Sequence, residues 1–275
     1  MSILLNFKKP LVMGILNTTP DSFSDGGCFN TTDSALTQAQ IMLSEGADII
    51  DVGGESTRPG AKEVSVAEEI DRVVPVIKGI HKFTDKCISI DTSKPEVMSA
   101  AVEAGASFVN DVCGLRAEGA LEVCAQLGVP VCVMHMQGEP RTMQKKPHYE
   151  NVVEDIKSFL QQRIEDCLQA GIESGNICID PGFGFGKSLQ HNLQLLKGLE
   201  SFEDLNVPLL VGLSRKSMLG SILDDAPPAE RLHASVSAAV LAWTKGARIF
   251  RVHDVKPTVD ALKVCQAMYD VSPKE

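Results

Sequence analysis

The chain has 275 residues, of which 44% are hydrophobic, so it can bury a full core as one large α/β barrel or as two modest domains. Its formal net charge of -10 argues against a nucleic acid or an anionic membrane as partner, because both are polyanions that favour a basic surface. No apolar stretch is long enough to span a bilayer, and residues 1–10 lack the apolar core of a secretory signal. These features predict a cytoplasmic protein.

Short apolar runs rich in Val and Ile recur along the chain and are separated by longer amphipathic stretches. This alternation is typical of buried parallel strands joined by helical crossovers. In chain order the eight predicted strands are Leu11 to Leu16, Ile49 to Val52, Cys87 to Ile90, Phe108 to Val112, Val129 to Met134, Ile177 to Ile179, Pro208 to Leu213 and Arg248 to Val252. The eight cysteines form no Cys-x-x-Cys pair, and we predict reduced core residues rather than disulfides.

The intervening segments carry helical spacing and helix-start residues. Ser65 with Glu68, and Ser93 with Glu96, have the S-x-x-E spacing of a capping box. Predicted apolar stripes comprise Val66, Ile70, Val73, Val74, Ile77 and Ile80, and then Val153, Ile156, Leu160, Ile164 and Leu168. Glycines that end helices in a left-handed conformation are expected at Gly46, Gly105, Gly128 and Gly246. Eight βα units without a linker predict a single (β/α)8 TIM barrel over residues 1–275.

Two long stretches rich in Gly, Pro, Ser and Thr follow the first two strands, from Thr18 to Thr31 and from Glu55 to Lys62. Loops of this length are more often functional lids than plain connections. We interpret Glu55 as a residue that orders its loop rather than as a general base. The acidic pair Glu68 and Glu69 is interpreted as part of a solvated helix face.

Polar side chains lie at or near the carboxyl end of each predicted strand, which is where the active site of such a barrel lies. In strand order they are Asn17; Asp51 and Glu55; Asp91; Asn110 and Asp111; His135; Asp180; Ser214, Arg215 and Lys216; and Arg251, His253 and Asp254. Polar ends on all eight strands predict one polar-lined pocket.

The residue types divide this pocket into two halves. Oxygens suited to a flat, amino-substituted heterocycle come from Asp91, Asn110 and Asp180. Side chains of anion-binding type are Asn17, Thr57, Arg58, Arg251 and His253. Because the loops after strands seven and eight of a barrel often bind phosphate, the pocket suits a polar aromatic head with a phosphorylated tail.

Motifs spread over the chain strengthen this interpretation. They are MGILNTTPDSFSDGG at 13–27, DVGGESTRPG at 51–60, IDTSKP at 90–95, NDV at 110–112, DPGFGFGK at 180–187, GLSRKS at 212–217 and RVHD at 251–254. In this order they resemble the motifs of dihydropteroate synthases, and the resemblance covers nearly the whole chain. That family joins a dihydropterin methyl diphosphate to 4-aminobenzoate with loss of diphosphate, and it is a sulfonamide target.

The resemblance implies a set of site residues. The pterin head is expected at Asp91, Asn110, Asp180 and Lys216, with Met134, Phe185 and Gly212 shaping the slot and Arg251 stacking on the ring. The diphosphate is expected at Asn17, Thr57, Arg58, Arg251 and His253, with Mg²⁺ bound through Asn17. The aminobenzoate is expected near Phe23, Asp25, Pro59, Phe185, Ser214 and Lys216. Catalytic roles are expected for Lys216, Asp25, Arg251 and His253, and the family resemblance also implies a homodimer.

Two alternatives remain at this stage. A methyltetrahydrofolate-corrinoid methyltransferase would reuse the Asp and Asn contacts to the pterin. It would not need the Thr57 and Arg58 loop, the run of Ser214, Arg215 and Lys216, or the pair Arg251 and His253. A catalytically silent pterin-binding paralogue would have lost a phosphate-site or amine-site residue, and none is missing. The glycines of 180–187 do not match a dinucleotide fingerprint, and His135 is interpreted as a structural histidine.

Overall fold

The computed structural model describes residues 9–19, 28–56, 63–138, 143 and 147–271, with only the backbone for 28–31. Its strands are β1 Leu11–Asn17, β2 Ile49–Gly53, β3 Cys87–Asp91, β4 Phe108–Asp111, β5 Val131–Met134, β6 Ile177–Asp180, β7 Leu210–Val211 and β8 Ile249–Val252. All pair in parallel in the order β6-β5-β4-β3-β2-β1-β8-β7. A parallel bridge between Ile179 and Leu209 joins the two outer strands, so the barrel closes and the predicted (β/α)8 architecture is confirmed.

Helices follow the strands as the alternation predicts. They are α1 Cys28–Ser44, α2 Val66–His81, α3 Pro95–Glu103, α4 Ala120–Leu127, α5 Val152–Gln169, α6 Leu189–Lys197, α7 Ser217–Ile222, α8 Leu232–Trp243 and α9 Val255–Tyr269. Short 3-10 segments are Ser174–Asn176, Leu199–Leu205 and Pro228–Glu230. Within the described ranges no helix has the length and hydropathy needed to cross a membrane.

Helix starts and ends test the local predictions. The Ser65 side chain accepts the Glu68 amide at 3.2 Å, so α2 begins with the Ser65 half of the predicted capping box, while the Glu68 carboxylate accepts from Arg72 at 2.5 Å. The predicted cap at Ser93 is wrong, because its hydroxyl instead donates to Asp111 Oδ1 at 2.5 Å and α3 begins at Pro95. The charged Asp111 carboxylate gives the Ser93 hydroxyl a stronger hydrogen bond than a backbone amide at the helix start would. Pro95 in the first turn already has the φ angle of a helix, so α3 can begin without the cap. The glycines expected to end helices have positive φ at Gly46, Gly105, Gly128 and Gly246.

The predicted loop from Thr18 to Thr31 is too long at its carboxyl end, because α1 begins at Cys28. Residues 20–27 and 57–62, which make up most of the two predicted lids, lie outside the described residues.

The barrel interior is layered, and the layering places the site. One buried layer fills the interior below the mouth and consists of Met13, Ile49, Phe108, Cys132, Cys178, Leu210 and Ile249. Because strand side chains alternate between the two faces of the sheet, the residue two positions further along each strand also points inward, one level higher. These residues are Ile15, Asp51, Asn110, Met134, Asp180, Gly212 and Arg251. An apolar layer therefore supports a mostly polar one at the carboxyl ends of the strands.

A larger apolar core lies between the outside of the barrel and the helices. Ile50 and Val52 of β2 pack into it, on the opposite face of the sheet from Ile49 and Asp51. Cys132 and Cys178 lie side by side in the lower interior layer, and the thiols of the described cysteines are free. These positions agree with the prediction that the cysteines are small core residues.

Candidate active site at the carboxyl end of the barrel

Arg251 on β8 reaches across the mouth of the barrel to two carboxylates on neighbouring strands. Its Nε donates to Asp51 Oδ2 and its Nη2 to Asp91 Oδ2, both at 2.6 Å. Burial acts to lower the pKa of the guanidinium, but the two aspartates raise that pKa above its ordinary value. One cation thus balances two carboxylates, and its planar donors are fixed in direction.

Asp51 is the residue that orients this part of the mouth, and the sequence placed it at the polar rim without predicting a positioning role for it. It is fully buried, and its Oδ1 accepts the Ser89 hydroxyl at 2.6 Å. Its Oδ2 also accepts the amide of Asn110 at 3.3 Å, besides the bond from Arg251. Two residues predicted to contact substrate, Asn110 and Arg251, are therefore positioned by one carboxylate. The alternation along β2 was a usable signal, since it places Asp51 in the same layer as Arg251.

Asp91 closes β3 in a low-dielectric setting. Burial raises the pKa of its carboxyl to about 7, with Arg251 opposing the shift and Asp51 adding to it. A side chain built on Gly53 would lie 3.7 Å from both Asp91 Oδ2 and Asn17 Oδ1, so Asn17 and Asp91 flank this glycine. The predicted metal residue and a predicted pterin residue are therefore neighbours.

The opposite wall of the mouth comes from the ends of β6 and β7. Lys216 Nζ lies 4.2 Å from the centre of the Phe185 ring, and burial lowers the pKa of this lysine to about 8. Burial raises the pKa of Asp180, while the Gly182 amide and Lys216 oppose that shift. Gly212 adds no bulk here, because even a Cβ at that position would stay 4.0 Å from Asp180 Oδ2. This leaves room for a flat ligand beside the carboxylate.

Ser214 and His253 link the ends of β7 and β8. The Ser214 hydroxyl lies 3.1 Å from His253 Nδ1 and also accepts the His253 amide at 3.2 Å. Burial, followed by the charges of Arg251 and Arg215, lowers the pKa of His253 to about 4. His253 is therefore neutral near pH 7 and sits among cations, as an anion-binding histidine would. The Arg215 guanidinium forms a forked ion pair with Asp254 at 2.6 and 3.0 Å, so its donors are already engaged by a carboxylate.

An apolar corner completes the mouth. Met134 at the end of β5 belongs to a small buried cluster with Val112, Met136 and Met143, and Phe185 packs against it. Met134 and Phe185 were both predicted to shape the pterin slot, and the fold brings them together. A flat ring placed between this corner and Arg251 would touch apolar surface on one side and fixed donors on the other.

The turn after β2 is tied down by charges. Glu55 accepts from Lys94 and, at 3.2 Å, from the Val64 amide, which agrees with a loop-ordering role. The prediction for Glu69 was wrong: it is fully buried and accepts from Lys94 at 2.5 Å, whereas Glu68 is exposed. Glu69 is four residues before the core residue Val73, so it lies on the inner stripe of α2.

The remaining predicted residues fall outside the described ranges, and nothing here places them. They are Phe23, Asp25, Thr57, Arg58 and Pro59. The described candidates gather at one rim, with Arg251, Asp91 and Asn110 on one side and Asp180, Lys216 and Phe185 on the other.

Comparison with known proteins decides the family. Residues 13–253 match the model of the family described as "Pterin binding enzyme". The dihydropteroate synthase of Haemophilus influenzae is 54% identical over 263 residues, which are 96% of this chain and 95% of the relative. The chain belongs to the dihydropteroate synthase family.

Solved structures of the dihydropteroate synthase family agree with this assignment. The Yersinia pestis enzyme, solved with a sulfonamide drug complex, is 53% identical, with a TM-score of 0.92 and 97% of each chain covered. The Xanthomonas albilineans enzyme, solved with 4-aminobenzoic acid, is 50% identical, with a TM-score of 0.92 and coverage of 97% of this chain and 95% of the other. The family, fold and enzyme class predicted from the sequence motifs are thereby confirmed.

Proposed function

We propose that the chain transfers the pterin-methyl group of (7,8-dihydropterin-6-yl)methyl diphosphate to 4-aminobenzoate, giving 7,8-dihydropteroate and diphosphate. The observation that carries the proposal is the convergence of Asp91, Asn110, Asp180, Lys216 and Arg251 on one mouth, in a chain half identical to dihydropteroate synthases. A methyltransferase has no diphosphate to bind, so it would not need the cations Lys216 after β7 and Arg251 on β8.

The pterin head is assigned to the carboxylate-rich part of the mouth. Asp180 and Asp91 offer acceptors to the ring N–H and amino groups, and the Asn110 amide offers both a donor and an acceptor. Lys216 donates to the ring carbonyl or a ring nitrogen. Its stem and the Phe185 ring lie together, so that one face of the heterocycle meets apolar surface. The Arg251 guanidinium, already fixed by two carboxylates, stacks on the other face.

The diphosphate is assigned to the side of β1, β7 and β8. Arg251 and the neutral imidazole of His253 supply donors there, and Ser214 fixes the imidazole orientation. Thr57 and Arg58 are proposed to add donors from the loop after β2. An arriving anion raises the pKa of His253 from its low value of about 4, so its binding in acid should be accompanied by proton uptake.

A magnesium ion fits the donor set at Asn17. Mg²⁺ typically keeps several waters and takes one or two protein oxygens together with substrate phosphates. The Asn17 amide oxygen at the end of β1 offers one such ligand, and in the described part of the chain no cluster of three His, Cys, Asp or Glu forms a separate metal cage. When bound with the diphosphate, the ion neutralises charge on the leaving group.

The chain's own groups perform the displacement. The bond between the exocyclic methylene carbon and the diphosphate oxygen breaks first, while Arg251 and His253 hold the departing charge in place. Asp25 and the pterin-binding carboxylates stabilise the cationic methylene-pterin. The aryl amine then forms the carbon–nitrogen bond, and its proton leaves with the diphosphate. The scheme needs no covalent link to the protein, so rapid quenching should trap none.

We also propose a homodimer in the cytoplasm. The large apolar residues exposed here are Leu241 near the end of α8, Val264, Met268 and Tyr269 on α9, and Val271 just after α9. Large apolar residues exposed on two neighbouring helices favour a protein partner, and a second copy provides a self-complementary one. Free thiols at the described cysteines fit a reducing compartment.

A coupled assay for diphosphate release tests the proposal. Purified protein, Mg²⁺ and the pterin diphosphate are incubated with or without 4-aminobenzoate. Release that depends on the amine and matches dihydropteroate formed supports the synthase. Tight pterin binding with no release would identify a silent paralogue, and methyl transfer from methyltetrahydrofolate to a corrinoid would identify the methyltransferase.

A further inference from the structure

Residues 182–187, between β6 and α6, form a turn that we call the glycine arch, and its last residue, Lys187, bonds back to the carbonyls of the arch. Lys187 is only 3% exposed. Its Nζ donates to the carbonyl oxygens of Gly182 at 2.8 Å and Phe185 at 3.0 Å, and it lies 3.0 Å from His135 Nδ1. An ammonium has three N–H groups, so the charged form of Lys187 is fully hydrogen bonded.

His135 serves as the third acceptor. Burial, followed by the charges of Lys187 and Arg116, lowers the pKa of His135 to about 2, so the ring is neutral and its Nδ1 can accept. The ring packs edge-on against Phe159, with centroids 4.9 Å apart, which fixes its plane. The arch also lies directly on this part of the backbone, because a Cβ on Gly182 would come within 1.9 Å of the His135 carbonyl oxygen.

The arch in turn carries one wall of the pocket. Phe185 lies under the Lys216 ammonium at 4.2 Å. Gly184 leaves room for the Lys216 side chain, because a Cβ at this position would lie only 3.2 Å from Lys216 Cδ, which is closer than an ordinary contact. A shift of the Gly182 and Phe185 carbonyls therefore moves the surface on which a flat ring would rest.

We propose that Lys187 is a positioning residue, which holds the glycine arch so that Phe185 and Lys216 form a fixed wall for the pterin ring. Lys187 does not contact the ligand and acts through these two residues. The inference rests on the proposed function only for the identity of the ligand.

The charge state of Lys187 controls this support. Burial lowers the pKa of Lys187 to about 7, with Lys216 adding to the shift and Asp180 opposing it. A neutral amine has two N–H groups, so deprotonation leaves one of the three acceptors without a donor. The support should therefore weaken as the pH rises through about 7. The ionisable groups that face Lys187 are His135, Asp180, His191 and Lys216.

Calorimetric titration with the pterin diphosphate, without 4-aminobenzoate, tests the proposal between about pH 6 and pH 9. At the lower pH, Lys187→Met should bind about tenfold more weakly than the wild type, the size of effect expected for lost charge-assisted hydrogen bonds. The ratio should shrink above about pH 8, because the wild type has then lost its ammonium, although its neutral amine keeps two N–H donors that Met lacks. Because the two ammonium groups repel each other, Lys216 keeps its charge to a higher pH in Lys187→Met, and this also shrinks the ratio above about pH 8.

Two controls separate positioning from general loosening. Tyr149→Phe removes another side-chain bond to the arch, from Tyr149 Oη to the Gly186 carbonyl at 2.8 Å, and should give a small, pH-independent ratio. Lys245→Met removes a surface ion pair with Glu200 and should leave binding unchanged. Unchanged affinity in Lys187→Met, a ratio that does not vary with pH, or the same pH-dependent ratio in Tyr149→Phe would overturn the proposal.

A second variant covers the case in which Lys187→Met does not fold. His135→Phe keeps a ring but removes an acceptor of the charged lysine, which lowers the pKa of Lys187 further. Binding should then weaken at a lower pH than in the wild type, and an unmoved midpoint would contradict the inference. Because binding is measured without turnover, a wild type that binds the pterin but releases no diphosphate would refute the proposed function alone.

Discussion

Charge balance across the barrel mouth determines how single residues respond to substitution. Arg251 compensates two carboxylates, one of them fully buried, and it also faces the expected ligand. Lys216 is a second cation of the mouth, and burial disfavours its charged form. Substitutions at these two positions should therefore differ: the loss of Arg251 affects both stability and binding, whereas the loss of Lys216 affects mainly catalysis.

Arg251→Ala should lower the free energy of unfolding by about 3 to 5 kcal/mol, because it leaves two carboxylates uncompensated. Arg251 opposes the rise in the pKa of Asp91, so without it the folded-state pKa of Asp91 lies still further above the unfolded one. The destabilisation should therefore be smallest in acid and grow as the pH rises through the folded-state pKa of Asp91, which is about 7 even with Arg251 in place. Denaturant titration at several pH values measures this.

The same variant should bind a pterin diphosphate analogue weakly in titration calorimetry. Arg248→Ala is a matched control, since Arg248 lies just before β8 at the far end of the barrel and donates to the Trp243 and Ala247 carbonyls. Wild-type affinity in Arg251→Ala would contradict the assignment of the guanidinium to the site.

Lys216→Ala should reduce kcat/KM by about two to three orders of magnitude, the range seen when one preorganised donor is lost, and should leave the fold intact. In the wild type the protonated form is the donor, so kcat/KM should fall as the pH rises through about 8. The diphosphate-release assay over a pH series measures both effects, with Lys256→Ala on α9 as an exposed lysine control. Near-normal turnover would remove Lys216 from the site.

At the scale of elements, the turns after β4, β5 and β6 interlock through backbone rather than side chains. Cβ atoms built on Gly114 and Gly186 would lie 2.8 Å from the Met134 carbonyl oxygen and 2.7 Å from that of Gln137. Glycine is required at such positions because another backbone occupies the space of a side chain. The apolar corner with Met134 depends on this close packing.

Gly182→Ala should be much more destabilising than Gly128→Ala. Both glycines have positive φ, 72° and 65°, so both variants carry a similar backbone strain of about 1 kcal/mol or more. Only at Gly182 would the new Cβ also meet a carbonyl oxygen, that of His135, while at Gly128 nothing lies within 4 Å. Thermal unfolding of the two variants gives the comparison, and equal shifts in Tm would show that the close packing does not matter.

At the scale of the whole molecule, the exposed apolar face of α8 and α9 determines the expected assembly. Leu241 is 52% and Val264 71% exposed. Leu241→Asp should convert a dimer to a monomer, because a desolvated carboxylate in an apolar interface costs several kcal/mol. Sedimentation velocity measures the state, with Ile41→Asp on α1 as a control of 44% exposure. A wild type that sediments as a monomer would remove this face as an interface.

The sequence predicted the barrel because hydrophobic alternation repeats eight times, and it predicted the rim because polar residues end the strands. What it missed involves partners far apart in the chain. Ser93 has the spacing of a cap, yet it bonds to Asp111, and Glu69 stands in an acidic pair, yet it is buried on Lys94. The sharing of Asp51 between Asn110 and Arg251 likewise depends on a closed sheet. Local patterns carry no information about such pairings.

The barrel has an uneven seam. β1 and β2 pair over five positions, whereas β6 and β7 meet through the single bridge between Ile179 and Leu209. Asp180 and Lys216 lie on either side of this junction, which has few hydrogen bonds, so a ligand bound to both residues would connect its two sides. The bound ligand would then stabilise the barrel itself, and the ligand-bound protein should have a higher Tm than the ligand-free protein.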